Sequence, residues 1–355
     1  MRTTDFSEKL IIWYHRHHRD LPWRHTSDPY CIWMSEIILQ QTRVAQGLPY
    51  YLRFVEKYPT VFDLANADEQ EVLRLWQGLG YYSRARNMHQ TARQVVDEFN
   101  GQFPETYASL LKLKGVGEYT AAAIASFAFG EAVPAVDGNV YRVLARIFGI
   151  KTDILSSPAK KEFMEVARTL IPEKDPATFN QAMIEFGAIQ CQPVVPDCLI
   201  CPFNGSCYAF ENGAQTTLPV KLKKTKIRDR HLNYIVLKKN GQLAMSQRGA
   251  KDVWQGLYDF YLLETPQAAD ENLDILLNDP QVAYWVGKGR VEVPRKTYVH
   301  LLSHQKLYAR FWQISLDEAE VTELPGQLSF YEPDEVEELP KPILIDTFIK
   351  EHFIS

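Results

Sequence analysis

Four of the five cysteines in this 355-residue sequence lie within 17 consecutive positions. They are Cys191, Cys198, Cys201 and Cys207, and their spacing is C-x6-C-x2-C-x5-C. Four thiolates this close together can bind one metal ion or one iron–sulfur cluster. Zinc ribbons usually join two C-x2-C pairs across a longer gap, whereas this segment has one such pair. The spacing therefore favours a [4Fe–4S] cluster, and a structural zinc site is the alternative.

A second chemical signal is the hairpin in which Gly115 and Gly117 flank one valine, between two predicted helices. Two glycines permit a tight reversal, and they let a phosphate approach the backbone N–H groups of the next helix. A plain turn between helices is the alternative. Lys114, Arg86 and the basic stretch 221–230 are candidates for phosphate contacts by charge.

Two carboxylates could supply acid–base chemistry. Asp137 precedes a predicted helix and can be read as its N-cap, although an N-cap aspartate beside a turn is also a fixed negative charge in a cleft. Glu36 shares a helical face with Ile32 and Leu39. Desolvation on such an apolar stripe raises the pKa of a carboxyl towards that of a useful general acid. A surface glutamate on a helix edge is the alternative, and the stripe alone favours it.

Elements of two kinds must position these residues. Apolar residues recur with a period near 3.6 along the first part of the chain, which predicts an all-α domain. The predicted helices are 6–18, 30–45, 48–58, 68–76, 84–99, 117–129, 138–148, 158–170 and 176–190. Beyond residue 230, residues 234–237 and 242–245 read as strands around an Asn-Gly turn, 308–314 as a strand and 342–353 as a helix. A small α+β domain is therefore expected there.

The charge differs between these parts. Residues 1–220 carry a net charge of −3, residues 221–231 one of +5 and residues 232–355 one of −7. We therefore expect a helical domain, a basic linker and a second domain with these bounds. The overall charge of −5 argues weakly against a nucleic-acid partner. No apolar run reaches the ~18 residues of a membrane helix and the N-terminus does not resemble a signal peptide, so a cytoplasmic protein is expected.

Together these motifs resemble the helix–hairpin–helix-Gly/Pro-Asp superfamily of DNA glycosylases, and within it the MutY (adenine DNA glycosylase) branch. The hairpin, Asp137 and the cysteine spacing are common to the endonuclease III and MutY branches. Residues 35–44, SEIILQQTRV, resemble the MutY segment that carries the catalytic glutamate. Tyr119 occupies the position of the catalytic lysine of endonuclease III enzymes. The resemblance implies an all-α, two-lobed glycosylase domain with a [4Fe–4S] loop, followed by a smaller α+β Nudix-like domain.

The resemblance also implies catalytic roles. Glu36 would protonate a ring nitrogen of adenine, and Asp137 would stay ionised and stabilise the oxocarbenium charge on the sugar. Tyr119 would lie beside Glu36, and Asn139 would hydrogen-bond near Asp137. Without a lysine at position 119 no Schiff base forms there, which implies a monofunctional adenine glycosylase. The alternatives are a bifunctional pyrimidine glycosylase/lyase, against which Tyr119 argues, and a non-catalytic iron–sulfur DNA-binding protein, against which the two carboxylates argue.

The implied partner is double-stranded DNA with adenine opposite 8-oxoguanine or guanine. The protein is expected to bind it as a monomer and to have no membrane partner. In a bacterium this would take place at the nucleoid. The adenine must leave the base stack to be reached. The candidates for opening the duplex are Gln41, Thr42, Leu79 and Tyr81. Trp23 and Arg24 would line the adenine pocket.

The C-terminal domain resembles the Nudix-like domain that checks the base opposite the adenine. Leu302-Ser303-His304 matches the aromatic-Ser-His reader loop of the family, with Leu302 in place of the usual aromatic residue. Ser303 and His304 could hydrogen-bond the oxidised guanine, and an ordinary Ser-His at the end of a strand is the alternative. The glutamate-rich pattern of nucleotide-hydrolysing Nudix enzymes is missing from the sequence after residue 230, so nucleotide hydrolysis is not expected.

Overall fold

The computed structural model describes residues 3–222, 227–250, 252–269, 274, 276–316 and 324–353. The chain forms two compact units, each made of two stretches of sequence. The helical unit consists of Met1–Asn66 and Asn87–Lys223, and the sheet unit of Ala67–Arg86 and Lys224–Ser355. Across the described part of the chain, every helix is too short or too polar to cross a membrane.

The regular elements found in the described residues of the helical unit are all helical, which confirms the all-α prediction. The helices up to residue 211 are α1 (Thr3–His17), α2 (Pro29–Leu39), α3 (Val44–Lys57), α4 (Val61–Asn66), α5 (Glu69–Trp76), α6 (Ser83–Phe99), α7 (Tyr107–Leu110), α8 (Glu118–Phe129), α9 (Gly138–Phe148), α10 (Ser157–Leu170), α11 (Pro176–Glu185) and α12 (Tyr208–Glu211). Of these, α5 and the first turn of α6 belong to the sheet unit. A π-helical turn, Phe186–Gln190, continues α11.

One predicted helix, 30–45, is wrong in its second half. Helix α2 begins after Asp28, whose side chain accepts a hydrogen bond from the Tyr30 N–H, and it ends at Leu39. Gln41 has a positive φ of 54°, a left-handed conformation that an α-helix cannot contain. The chain therefore breaks between α2 and α3, and Gln41 lies in an exposed turn.

An aromatic core positions α1 and α11 in the helical unit. Phe6 and Trp13 of α1 pack with Phe179 of α11 and with Phe186 in one buried cluster. The Phe6 ring stacks on Phe203 at 4.8 Å between centroids. Because Phe203 lies within the cysteine segment, this core also anchors that segment to the helices.

The sheet unit confirms the α+β prediction for the C-terminal part. Its strands are β1 (Arg228–Lys239), β2 (Gln242–Gln247), β3 (Tyr258–Asp259), β4 (Tyr261–Thr265), β5 (Arg290–Glu292), β6 (Tyr298–Leu301), β7 (Gln305–Ser315) and β8 (Ser329–Tyr331). Strands β1 and β7 run parallel, whereas β1 and β2 form the antiparallel hairpin predicted from Asn240-Gly241. Both hairpin residues have positive φ, as a two-residue turn requires. The helices of this part are α13 (Pro280–Lys288), α14 (Pro333–Glu338) and α15 (Ile343–His352).

Residues 67–86, which the sequence assigns to the first domain, pack within the sheet unit. The Lys341 N–H donates to Gln77 Oε1 at 3.0 Å, and the Tyr82 hydroxyl donates to the Lys341 carbonyl at 3.3 Å. The predicted linker 221–231 also differs in part, because residues 228–231 already belong to β1. Residues 223–226 lie outside the described residues, so the linker and the domain bounds remain predictions.

Candidate active site

A cavity of about 1070 Å³ in the helical unit brings together most of the residues singled out in the sequence. Its walls come from the C-terminal half of α2, the starts of α8 and α9, the end of α11 and the turn around residue 23. The sequence-predicted residues that line it are Trp23, Arg24, Glu36, Gln41, Thr42, Gly115, Gly117, Tyr119, Asp137 and Asn139. The positions of these residues in sequence span more than 100 residues, so the fold assembles the site.

Glu36 is partly buried on the wall formed by α2. Burial raises the pKa of Glu36 to about 7, and the nearby charge of Asp137 adds to the rise, whereas Tyr119 and Arg24 oppose it. The Tyr119 side chain forms a hydrogen bond with the Glu36 carboxyl. Burial also raises the pKa of Tyr119 well above its ordinary value, so this partner is a neutral phenol. A carboxyl in this setting holds its proton near neutral pH and can deliver it.

Asp137 lies in a different hydrogen-bonding environment. Its side chain caps α9 by accepting from the N–H groups of Asn139 at 2.9 Å and Val140 at 2.8 Å. The Asn139 Nδ2 donates to the other carboxylate oxygen at 2.7 Å. Burial raises the pKa of Asp137, while these three donors and the charge of Arg142 oppose the rise. Three N–H donors favour the ionised form, so the N-cap aspartate is also a cavity-lining negative charge.

Arg142 joins this site to the cysteine segment. Its Nη2 donates to Asn139 Oδ1 at 2.8 Å and to the Gly187 carbonyl at 2.7 Å. Its Nε donates to the carbonyl of Cys191 at 2.8 Å. The hydrogen-bonded side chains therefore run from Asp137 through Asn139 and Arg142 to the first cysteine.

Sequence reasoning missed an ion-pair group around the buried Glu185, which also lines the cavity. Glu185, fully buried at the end of α11, accepts hydrogen bonds from Arg19 Nη2 at 2.6 Å and from Arg24 Nη2 at 2.7 Å. These arginines hold the pKa of Glu185 at about 2 although burial opposes them. Arg24 Nη1 also donates to the Arg19 carbonyl at 2.8 Å. Arg19 and Glu185 lie about 165 residues apart, so no local pattern pointed to this group.

The glycine hairpin lies at the rim of the cavity. Gly115 has a φ of 70°, and a Cβ there would lie 2.7 Å from the Cβ of Asn87, so a larger residue would be strained and crowded. Gly117 is the N-cap of α8 and provides no side-chain cap for the first N–H groups of that helix. Lys114 is exposed beside the hairpin, and its N–H donates to Gln94 Oε1 at 2.9 Å.

The four cysteines lie near one another beside the aromatic core. Each of the thiols of Cys191, Cys198 and Cys207 interacts electrostatically with that of Cys201. Arg146 Nη1 approaches Cys191 Sγ at 3.5 Å, which provides a cation beside the group. Within the described ranges, no set of three or more His, Cys, Asp or Glu side chains has a geometry that could hold a metal ion.

The remaining sequence-predicted residues belong to the sheet unit. Tyr81 is exposed, has a φ of 48° and shares a hydrogen bond with the exposed Ser303. His304 follows in the turn between β6 and β7, where its carbonyl accepts from the Arg228 N–H at 2.9 Å. Leu79 is buried, and Arg86 Nη1 donates to the Gln255 carbonyl at 2.7 Å. Thus Tyr81, Ser303 and His304 form one exposed group in this unit, and the DNA contacts of Leu79 and Arg86 stay predictions.

Comparison with known families defines the class of protein. Residues 34–172 match the HhH-GPD superfamily of base excision DNA repair proteins, and residues 233–351 match the NUDIX domain. A trapped endonuclease III–DNA covalent intermediate is similar in structure, with a TM-score of 0.53, 25% identity and coverage of 60% of this chain and 99% of that one. The chain is thus a helical base excision DNA glycosylase with an additional C-terminal α+β domain.

Individual relatives narrow this class. The adenine DNA glycosylase of Buchnera aphidicola subsp. Baizongia pistaciae is 34% identical over 87% of this chain and 85% of its own length. The human adenine DNA glycosylase is 44% identical over 61% of this chain and 41% of its own length. The chain belongs to the adenine DNA glycosylase family and is an adenine-specific DNA N-glycosylase, a hydrolase of N-glycosyl bonds, which confirms the resemblance found in the sequence.

Proposed function

We propose that this enzyme releases adenine mispaired with 8-oxoguanine or guanine from double-stranded DNA, without cutting the strand. The observation that carries the proposal is the pair of carboxylates in one cavity with opposite surroundings. Glu36 forms a hydrogen bond with the neutral phenol of Tyr119, and burial raises the pKa of Glu36 to about 7. Asp137 accepts three N–H hydrogen bonds. Two carboxyls with such different environments are what an acid and an ionised stabiliser of positive charge require.

The reaction follows from these two environments. The protonated Glu36 gives its proton to a ring nitrogen of the flipped adenine, and the N-glycosidic bond breaks with its electron pair moving onto the base. The sugar then carries positive charge, which the ionised Asp137 stabilises. Water adds at the anomeric carbon and gives its proton to the Glu36 carboxylate, which restores the acid, so that an abasic site and free adenine are formed. Tyr119 and Asn139 position the two carboxyls.

Strand cleavage is not expected, because a lyase needs an amine that attacks the sugar. Tyr119 stands where such an amine would be required, and no lysine is found among the described residues that line the cavity. Incubation with borohydride should therefore trap no covalent complex with DNA. A stable trapped adduct would contradict the monofunctional mechanism.

Double-stranded DNA fits the rim of the cavity. The N–H groups at the start of α8 can donate hydrogen bonds to a phosphate that approaches the hairpin, since the exposed Gly117 has no side chain in the way. Gln41 is exposed and held in a left-handed turn at the rim, a position suited to entering the space left by the flipped base. We propose that a monomer acts in this way at the chromosome, which in a bacterium is the nucleoid in the cytoplasm.

In the sheet unit, Tyr81, Ser303 and His304 are the proposed readers of the base opposite the adenine. Their hydroxyl and imidazole groups can donate to or accept from the edge of a purine. An 8-oxoguanine differs from guanine by a carbonyl at C8 and an N–H at N7, and exposed hydroxyl and imidazole groups can hydrogen-bond both.

We further propose that Cys191, Cys198, Cys201 and Cys207 hold a [4Fe–4S] cluster. When bound, such a cluster would crosslink the 191–207 segment, in which Val194, Val195, Leu199 and Ile200 are exposed and add little to a core. The donor set fits, because the four thiols lie near one another, the cationic Arg146 lies beside Cys191, and Phe203 anchors the segment. Equal amounts of iron and acid-labile sulfide in the purified protein are expected, and stoichiometric zinc would contradict the proposal.

The function is tested with three duplexes, each treated with alkali after incubation with the enzyme. They contain adenine opposite 8-oxoguanine, cytosine opposite 8-oxoguanine, and thymine glycol. We expect a strand break only in the first, at the position of the adenine. A break at thymine glycol, or no break in any duplex, would contradict the proposed function.

A further inference from the structure

We propose that Tyr14 is a positioning residue for base recognition, which acts by holding the side-chain amide of Gln181 in one orientation at the wall of the cavity. The inference rests on the proposed function, because it assumes that the flipped adenine enters this cavity. Neither residue was singled out in the sequence, where they lie 167 positions apart.

The contact itself is short and partly buried. Tyr14 on α1 is 6% exposed, and its hydroxyl donates to Gln181 Oε1 at 2.6 Å. Gln181 on α11 lines the cavity, whereas Tyr14 lies behind it and does not line it. Burial raises the pKa of Tyr14, and the charge of Glu185 adds to the rise while that of Arg24 opposes it. The hydroxyl is therefore protonated near neutral pH and available as a donor.

Tyr14 also contacts the second polar group on the same wall. The Arg24 guanidinium lies 5.6 Å from the centroid of the Tyr14 ring. Both terminal nitrogens of Arg24 are already engaged, by the Arg19 carbonyl and by Glu185. The face of the tyrosine therefore supports Arg24, and its hydroxyl supports Gln181.

The hydrogen bond determines what Gln181 can offer a ligand. An amide carries one acceptor oxygen and one NH2 group, and either could face the cavity. Because Oε1 accepts from Tyr14, the NH2 group is the part of the amide that remains for a base. Ring nitrogens of adenine accept hydrogen bonds, so this NH2 can donate to one of them. Without the phenol hydroxyl, the amide could rotate and present its oxygen instead.

Another buried tyrosine of the helical unit differs in its partner, because its hydroxyl donates to a backbone carbonyl. The Tyr30 hydroxyl on α2 donates to the backbone carbonyl of Tyr58 at 2.7 Å, and Tyr30 does not line the cavity. Tyr30→Phe is therefore a matched control. It removes a buried hydroxyl from the same unit without touching a cavity side chain.

The test is a double-mutant cycle on adenine release, measured with enzyme in excess over a duplex with adenine opposite 8-oxoguanine. Tyr14→Phe keeps the ring beside Arg24, and Gln181→Met keeps the side-chain volume while removing the amide. Each should slow release by about 5- to 10-fold, the value of one hydrogen bond. The double variant should be no slower than Gln181→Met alone, because Tyr14 acts through Gln181.

Tyr30→Phe should lower the resistance to urea about as much as Tyr14→Phe does, with release unchanged. Normal adenine release by Tyr14→Phe would overturn this inference and leave the proposed function intact. The same holds if the effects of the two substitutions multiply in the double variant. Failure of the unmodified protein to release adenine at all would overturn the proposed function and this inference with it.

Discussion

Each unit contains a carboxyl whose pKa is raised by burial, but the two carboxyls have different partners. In the helical unit, burial raises the pKa of Glu36 to about 7, and its hydrogen-bond partner is the neutral Tyr119. In the sheet unit, burial raises the pKa of Asp259 to about 6, and its partner is the guanidinium of Arg248. Glu36 lines a cavity, whereas Asp259 does not line it and is 3% exposed.

The surroundings of Asp259 continue as a charge network. Arg248 also pairs with Asp252, and Arg230 binds Asp252 at 3.2 Å and Glu264 at 2.6 Å. In such a network each arginine is paired with carboxylates of opposite charge. Removing one partner therefore leaves another buried charge uncompensated. A buried carboxyl with a raised pKa is therefore not by itself a catalytic acid. The neutral partner and the access to a cavity are what distinguish Glu36.

The strongest way to test this contrast is to remove the acid. Glu36→Gln keeps the size of the side chain but has no proton to deliver, so adenine release should fall by about 10²- to 10⁴-fold. The measurement is single-turnover release from a duplex with adenine opposite 8-oxoguanine. Near-normal release by this variant would show that Glu36 is not the general acid.

The matched change in the sheet unit should affect stability and leave catalysis intact. Asp259→Asn removes one charge from the network around Arg248 and should lower the free energy of unfolding of this unit by about 3 kcal/mol. The midpoint of denaturation by urea reports this loss, and adenine release at low temperature should be unchanged. If Asp259→Asn greatly slowed adenine release and kept normal stability, Asp259 would act in catalysis, and the distinction between it and Glu36 would fail.

The stability of the helical unit should depend on whether Glu36 is ionised. The folded protein binds the Glu36 proton more tightly than the unfolded chain does, because the pKa rises from its ordinary value of 4.5 to about 7. Stability from this group is therefore lost as pH rises through that window. Glu36→Gln should stabilise the protein at about pH 8 by about 1–3 kcal/mol, and by less at about pH 5. An effect of Glu36→Gln on stability that is equal at both pH values would contradict the raised pKa of Glu36.

The smallest effect is expected in the exposed group of the sheet unit. Ser303→Ala combined with His304→Ala should reduce the preference for adenine opposite 8-oxoguanine over adenine opposite guanine by about 10-fold, through lost hydrogen bonds to the oxidised base. Single-turnover rate constants on both duplexes measure this ratio. An unchanged ratio would assign base reading to other residues.

Much of the site could be predicted from the sequence, because its members carry local signals. Asp137 is a helix cap and is followed by Asn139. The glycines at 115 and 117 mark a turn, and the cysteines have a fixed spacing. The cavity brings Glu36, Tyr119 and Asp137 together as the family pattern implies. The hairpin turn at Asn240-Gly241 could likewise be predicted, because the turn needs positive φ, which asparagine and glycine tolerate.

The remainder depends on contacts between distant segments or on local backbone geometry. Glu185 and Tyr14 act through partners more than 160 residues away, which no periodicity reveals. Gln41 continues an apolar helical pattern, yet its left-handed backbone ends the helix. Residues 67–86 read as part of the helical domain, but hydrogen bonds to Lys341 and Gln255 draw them into the sheet unit.

The central claim is that burial keeps Glu36 protonated so that it can act as the general acid. Its most direct test is the pH dependence of single-turnover adenine release between about pH 5 and 9, in the unmodified protein and in Asp259→Asn. We predict a rate constant that falls as pH rises through about 7 in both proteins, as Glu36 loses its proton. A rate constant that stays level or rises across this range would contradict the account.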